Sequence, residues 1–92
     1  MKKIPEQVAN VLKDYPLGYR IKRMRNMMGW TQSELAAKLG ASQGNVSNWE
    51  LGINVPNGAY SERIIQVFGL PLDFFIDQDI QIFKGRKEDK HG

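Results

Sequence analysis

Gln43, Asn45, Ser47 and Asn48 crowd into one short stretch, and Gln32 precedes them by about three helical turns. A side-chain amide carries a donor and an acceptor side by side, so Asn or Gln can bond adenine N6 and N7 together across the DNA major groove. Ser42 adds a hydroxyl, Gly44 a bare backbone, and Asn54 and Asn57 extend the same chemistry beyond Gly52. No Lys or Arg stands between Gln43 and Asn57, so whatever this stretch meets, it meets with neutral hydrogen-bonding groups. Solvation of an exposed helix explains any one of these amides. Their concentration at the start of one helix favours a partner that is read.

Other chemistries find little support. The chain has no cysteine, which rules out disulfides, thiolate nucleophiles and cysteine metal sites, and His91, the single histidine, lies in a charged tail. Serines and carboxylates are scattered, so no catalytic set, metal or cofactor is expected, and the chain is not expected to be an enzyme. The start carries two lysines but no apolar stretch of signal-peptide length, and no segment approaches a membrane span, so a cytoplasmic, nucleoid-associated protein without membrane or small-molecule partners is expected. Charge is uneven: residues 1–63 hold nine Lys/Arg against five Asp/Glu, and residues 64–92 hold four against five. The first part is the candidate partner of a polyanion.

The elements that must hold the amides follow from apolar spacing and from caps. At 92 residues and 41% hydrophobic, the chain suits one core of packed helices. Val8, Val11, Leu12 and Tyr15 recur at helical spacing between Pro5, which suits a first turn, and Pro16, giving a first amphipathic helix. Leu17, Ile21, Met24 and Met28 give a second, ended by Gly29. Thr31 and Glu34 form a capping box that opens a third through Leu35, Ala36 and Leu39 to Gly40, with Trp30 placed to staple its start. Ser42 caps a fourth containing Val46 and Trp49, ended by Gly52. Tyr60, Ile64, Ile65 and Phe68 mark a fifth ended by Gly69, and residues 71–76 a short sixth. Met24, Met27, Met28, Trp49, Tyr60 and Phe68 read as packing. Ile80, Gln81 and Ile82 alternate like a short strand.

The third and fourth helices meet across a very short turn, which makes them a helix-turn-helix over residues 32–50. Ala36, small, sits where the two helices come closest; Gly40 can turn the chain with positive φ; Val46 and Trp49 point inward. With Leu17-Gly18, Arg25, Gly29, the run from Thr31 to Gly40, Val46, Trp49-Glu50-Leu51-Gly52 and Pro56, the chain resembles the lambda repressor and Cro type (Xre-like) of helix-turn-helix transcriptional regulators. Gly52-Ile53-Asn54 followed by Asn57 is similar to the lambda repressor's own loop. The resemblance implies an all-α fold, a compact lambda-repressor-like bundle of five to six short helices with a short C-terminal strand or arm. It divides the chain into an extra helix (1–16), a DNA-binding domain (17–76), and an arm with a charged tail (77–92).

It also implies roles. Gln32 touches a phosphate and braces Gln43, which reads a base; Gly44, Asn45, Ser47, Asn48 and Asn54 are further base-facing candidates. Ser42 and Asn57 are candidates for phosphate; apart from the resemblance, the basic character of the second helix makes Arg20 and Lys22 candidates too, and the outer position of Lys38 makes it a weaker one. Arg25 is expected to pair with Glu50 structurally. Gly44 and Leu51 depart from the family, since relatives often carry contact residues there. The function implied is sequence-specific binding of a double-stranded DNA operator, as a repressor and homodimer, through the recognition helix 42–51. The alternative is a helix-turn-helix used for protein contact, as in an antitoxin or anti-repressor. One short helix reads few base pairs, so a pair reading half-sites is expected. Phe74, Phe75, Ile80, Ile82 and Phe83 exceed what a small core readily buries and are the candidate dimer surface. Ile80 to Phe83 either pair as a strand with a second copy or fold back as core.

Overall fold

Helix starts and stops set the architecture. A computed structural model of the chain describes residues 3–71 and Phe74. Five helices follow in order: α1 Glu6–Leu12, α2 Leu17–Met28, α3 Gln32–Leu39, α4 Gln43–Leu51 and α5 Gly58–Phe68, with no strand among the described residues. Pro5 sits at the N-cap of α1 and not in its first turn, and Pro16 at that of α2. The Thr31 hydroxyl accepts from Glu34 N at 3.0 Å, while Glu34 Oε1 accepts from Thr31 N at 2.8 Å, closing the capping box on α3. Four of the helices end on glycines of positive φ. At Gly40, φ 69° reverses the chain so that α4 starts after only two more residues, and an L side chain would be strained there.

One apolar core joins all five helices, with Ile21, Met24, Leu35, Leu39, Val46, Ile64 and Phe68 all but sealed from solvent. The helical face of α1 differs from the expected one. Ala9 and Leu12 turn inward with Ile4, whereas Val11 and Tyr15 are 59% and 44% exposed. Ile4 N donates to Phe68 O at 3.0 Å, which lays Ile4 against the end of α5 and rotates α1 accordingly. Tyr15 instead stacks on Tyr19 at the surface, with ring centroids 4.9 Å apart.

Two expected surface residues belong to this core. Arg20 is 1% exposed and is not a phosphate ligand: Nε donates to Tyr15 O at 2.6 Å, Nη1 to Phe74 O at 3.3 Å and Nη2 to Lys13 O. Chain carbonyls left over where α1 ends take up its fixed fork of donors. Phe74, expected on the dimer surface, is fully buried beneath that guanidinium, 5.5 Å from ring centroid to Cζ, so it fills the core of the single chain. Its N–H closes a turn on Pro71 O at 3.0 Å; the rest of the segment expected as a sixth helix, Phe75, and the expected strand with Ile80, Ile82 and Phe83 lie outside the described residues.

α2 crosses α4 at Gly18. A Cβ there would lie 2.5 Å from Trp49 O and 2.7 Å from Glu50 O, both backbone atoms. Alanine inside a helix ordinarily stabilises by about 0.5–1 kcal/mol. Here the sign reverses: Gly18→Ala forces the helices apart and costs about 1–3 kcal/mol, roughly 4–8 °C in Tm for each kcal/mol. Urea and thermal unfolding of the variant measure this, and a rise in stability would refute the close crossing.

Candidate nucleic-acid interface

α3 and α4 pack across the Gly40–Ser42 turn with Ala36, 3% exposed, between them. α5 clamps the turn from the side. Arg63 Nη1 donates to Leu39 O at 2.9 Å and the Tyr60 hydroxyl to Gly40 O at 3.4 Å, so the carbonyls left open at the end of α3 are met. No sequence signal marks these two contacts, because side chains reaching back more than one helix leave no local spacing.

The polar machinery starts from Glu50. Its side chain is 2% exposed and receives Arg25 through two contacts, Nε to Oε2 at 2.6 Å and Nη2 to Oε1 at 3.0 Å. Arg25 Nη1 also donates to Trp30 O at 2.8 Å. Hydrogen bonding to Glu50 holds the Arg25 pKa above its ordinary value, against the opposing effect of burial. Glu50 Oε1 accepts again from Gln32 Nε2 at 3.0 Å, and Gln32 Oε1 accepts from Gln43 Nε2 at 2.6 Å. The direction of this relay follows from charge. A carboxylate only accepts, so it turns the Gln32 amino group toward itself and the Gln32 carbonyl toward Gln43. Gln43 is left with Oε1 and one N–H facing solvent, the donor and acceptor pair that adenine accommodates.

The rest of α4 is sorted by its turn of about 100° per residue. Val46 and Trp49 define the buried side, and Gly44 and Leu51 stand opposite, flanked by Ser47 and Asn48, both half-buried. Leu51 is 71% exposed, and a Cβ at Gly44 would meet nothing nearer than Ser42 Oγ at 3.8 Å. Asn45 lies on the flank toward Trp49, and its carbonyl is engaged: Oδ1 accepts from Ser42 N at 3.1 Å and Ser42 Oγ at 2.9 Å, while Asn45 N donates to Ser42 Oγ at 3.1 Å. This capping box uses Asn where Glu or Gln is usual, which is why a search for the usual pair passes over it. Asn57 likewise caps α5, its Oδ1 accepting from Tyr60 N at 3.0 Å. Asn54, Asn57 and Lys22 are exposed; Lys38 lies with Nζ 4.6 Å above the Trp30 ring, itself stacked on Phe68. Among the described residues, no group of acidic, His or Cys side chains could hold a metal, and no helix is long and apolar enough to cross a membrane.

Arg25→Met strands a buried carboxylate and should cost roughly 3–5 kcal/mol, whereas Arg25→Met with Glu50→Leu should lose less than the sum of the single changes. Chemical denaturation of the four proteins gives the coupling; additive losses would sink the pairing.

Comparison with known proteins matches residues 21–75 to the helix-turn-helix family model. An uncharacterized HTH-type transcriptional regulator of Sinorhizobium medicae is 30% identical over 64 residues, 70% of this chain and 46% of its own length. The HTH-type transcriptional regulator ImmR of Bacillus subtilis is 30% identical over 63 residues, 68% of this chain and 50% of its own. Antitoxin HipB of Escherichia coli K12 is 44% identical over 46 residues, 50% of this chain and 42% of its own. The chain thus spans about half the length of the curated relatives it matches. With the frame, the relay and the family match in agreement, the chain belongs to the helix-turn-helix regulators of the lambda repressor and Cro (Xre-like) type.

Proposed function

We propose that this chain binds double-stranded DNA of defined sequence, as a dimeric transcriptional repressor that occludes an operator. The observation that carries the reading is the Gln43–Gln32–Glu50–Arg25 relay, which orients one reading amide at the start of the recognition helix. Packing alone requires neither glutamine. Preorganisation matters because an amide free to flip pays for its ordering on binding, and this one is already held. Gln43 reads a base; Ser47, Asn48 and Asn54 face the same groove, Gly44 permits close approach, and Gln32, Ser42, Asn57 and Lys22 lie toward the phosphates. A DNA-bound protein of this kind resides in the cytoplasm at the nucleoid.

A second reading, a helix-turn-helix that serves protein contact, draws on the similarity to the antitoxin HipB and on the absence of Lys and Arg from α4. Selection of bound sites from random duplex DNA separates the two. The parent should enrich a defined site, and Gln43→Ala should relax preference at one base pair by about 1–3 kcal/mol. No enrichment by the parent would favour protein contact, and an unchanged preference in the variant would refute the role of Gln43.

For the dimer, Phe75, Ile80, Ile82 and Phe83 supply the proposed surface. A chain cut after Ile76, which keeps Phe74 in the core, should scatter light as a monomer. An undiminished dimer would move the interface elsewhere.

A further inference from the structure

On the far side of α2 from the recognition helix, α1 and α2 leave a cleft of about 400 Å³ between them. Gly18 meets the α4 backbone and Arg25 bonds Glu50, which fixes the side of α2 that faces α4. At about 100° per residue, Arg23 and Met27 stand on the opposite side. The cleft has the size of a small-molecule site, roughly 300–1,000 Å³, and the usual position of one, between helices. Val8, Leu12 and Met27 line it with aliphatic groups, and Val11, 59% exposed, adds a fourth. Tyr19, Arg23 and Met27 follow at four-residue steps, a row of about 12 Å along α2. Tyr15 stacks on Tyr19 where that row begins, with ring centroids 4.9 Å apart. Among the described residues, Arg23 is the only charged member of the lining. Arg20, Arg25 and Arg63 bond into the fold, whereas Arg23 is exposed and has no partner among the described residues.

We infer that this cleft binds a small aliphatic monocarboxylate, its carboxylate on Arg23 and its chain along Val8, Leu12 and Met27. The inference stands apart from the DNA-binding reading and revises the expectation of no small-molecule partner. Charge selects the head group. An unpartnered guanidinium presents a planar fork that the two oxygens of a carboxylate match together, and no acidic side chain among the described residues lines the cleft to answer it. One cation accounts for one carboxylate. Shape selects the body. An aliphatic lining drawn out along two helices takes a chain, whereas Tyr15 and Tyr19 already cover one another's facing sides and leave no slot between them for an aryl group. Covering the exposed methyls of Val11 and the half-buried Val8 and Met27 supplies the hydrophobic part of the binding. DNA held by α4 is not the occupant, because Arg23 lies on the side of α2 turned away from α4.

Octanoate is the probe, followed through the methyl signals of Val11 and Met27 in NMR spectra of the full chain. It should occupy a single saturable site and shift both signals. Octanol, which keeps the chain without the charge, should bind more weakly by roughly tenfold or more, and Arg23→Gln should weaken octanoate to the same extent. Val11→Asp changes an exposed position outside the core and sets a carboxylate against the ligand, so it should also weaken octanoate by roughly tenfold or more. Thermal unfolding establishes that both variants fold. No saturable shift, equal binding of octanol, or unchanged octanoate binding by either folded variant overturns the site. Tighter binding of phenylpropionate overturns the aliphatic assignment. In the free protein, nuclear Overhauser contacts from these methyls to Ile80, Ile82 or Phe83, of the same chain or of a second copy, would give the cleft to the C-terminal segment and overturn the carboxylate assignment.

Discussion

One carboxylate, Glu50, sits nearly sealed at the end of the recognition helix and must be satisfied wherever the chain folds. Everything polar around it follows from that requirement. Arg25 answers with its planar fork, which fixes α2 against α4, and Gln32 fills the remaining lone pair, which fixes the start of α3. A buried ion pair of this type adds little net stability compared with apolar packing, since desolvation offsets much of the attraction. What it supplies here is orientation. The charge polarises the amides in sequence, and the last of them, Gln43, faces outward with its donor and acceptor already assigned.

Much of this frame is legible in the sequence because its determinants are local. Thr31 with Glu34, Ser42 before α4, and glycines after α2, α3, α4 and α5 announce helix ends through chemistry confined to one turn. The pairing of Arg25 with Glu50 and of Gln32 with Gln43 joins residues far apart in the chain, and family resemblance identified it where spacing does not. Where neither locality nor resemblance applies, the sequence misleads. Arg20 looked like a surface cation in a basic helix, yet its partners are carbonyls of the α1–α2 connection and of Phe74, contacts with no side-chain signature. The inward face of α1 departs from its apolar stripe for a related reason. Val8, Val11, Leu12 and Tyr15 make a good stripe on their own, but the anchoring of Ile4 on Phe68 turns Ala9 inward instead.

The cations share a pattern that bulk charge conceals. Arg20, Arg25 and Arg63 bond to carbonyls or to Glu50, and Lys38 rests over an indole. In each case the charge serves the fold, and Lys22 and Arg23 are left exposed on α2. The balance that suggested a polyanion partner therefore overstates how much positive charge the motif displays. Amides, a hydroxyl and helix starts carry the polar character of the α3–α4 surface, and such groups discriminate by geometry more than by attraction.

Gly44, finally, stands at the centre of the outward side of α4 with open space around it. The frame is built without it: the caps, the turn clamp, the Glu50 relay and the core all close on other residues. A position that is central to the outward side of α4 yet absent from its scaffold is a natural point of divergence. Side chains of many sizes can be installed there without repacking the domain, and most would gain helix propensity over glycine. One residue can thus be exchanged at the most outward point of α4 while the fold is inherited unchanged.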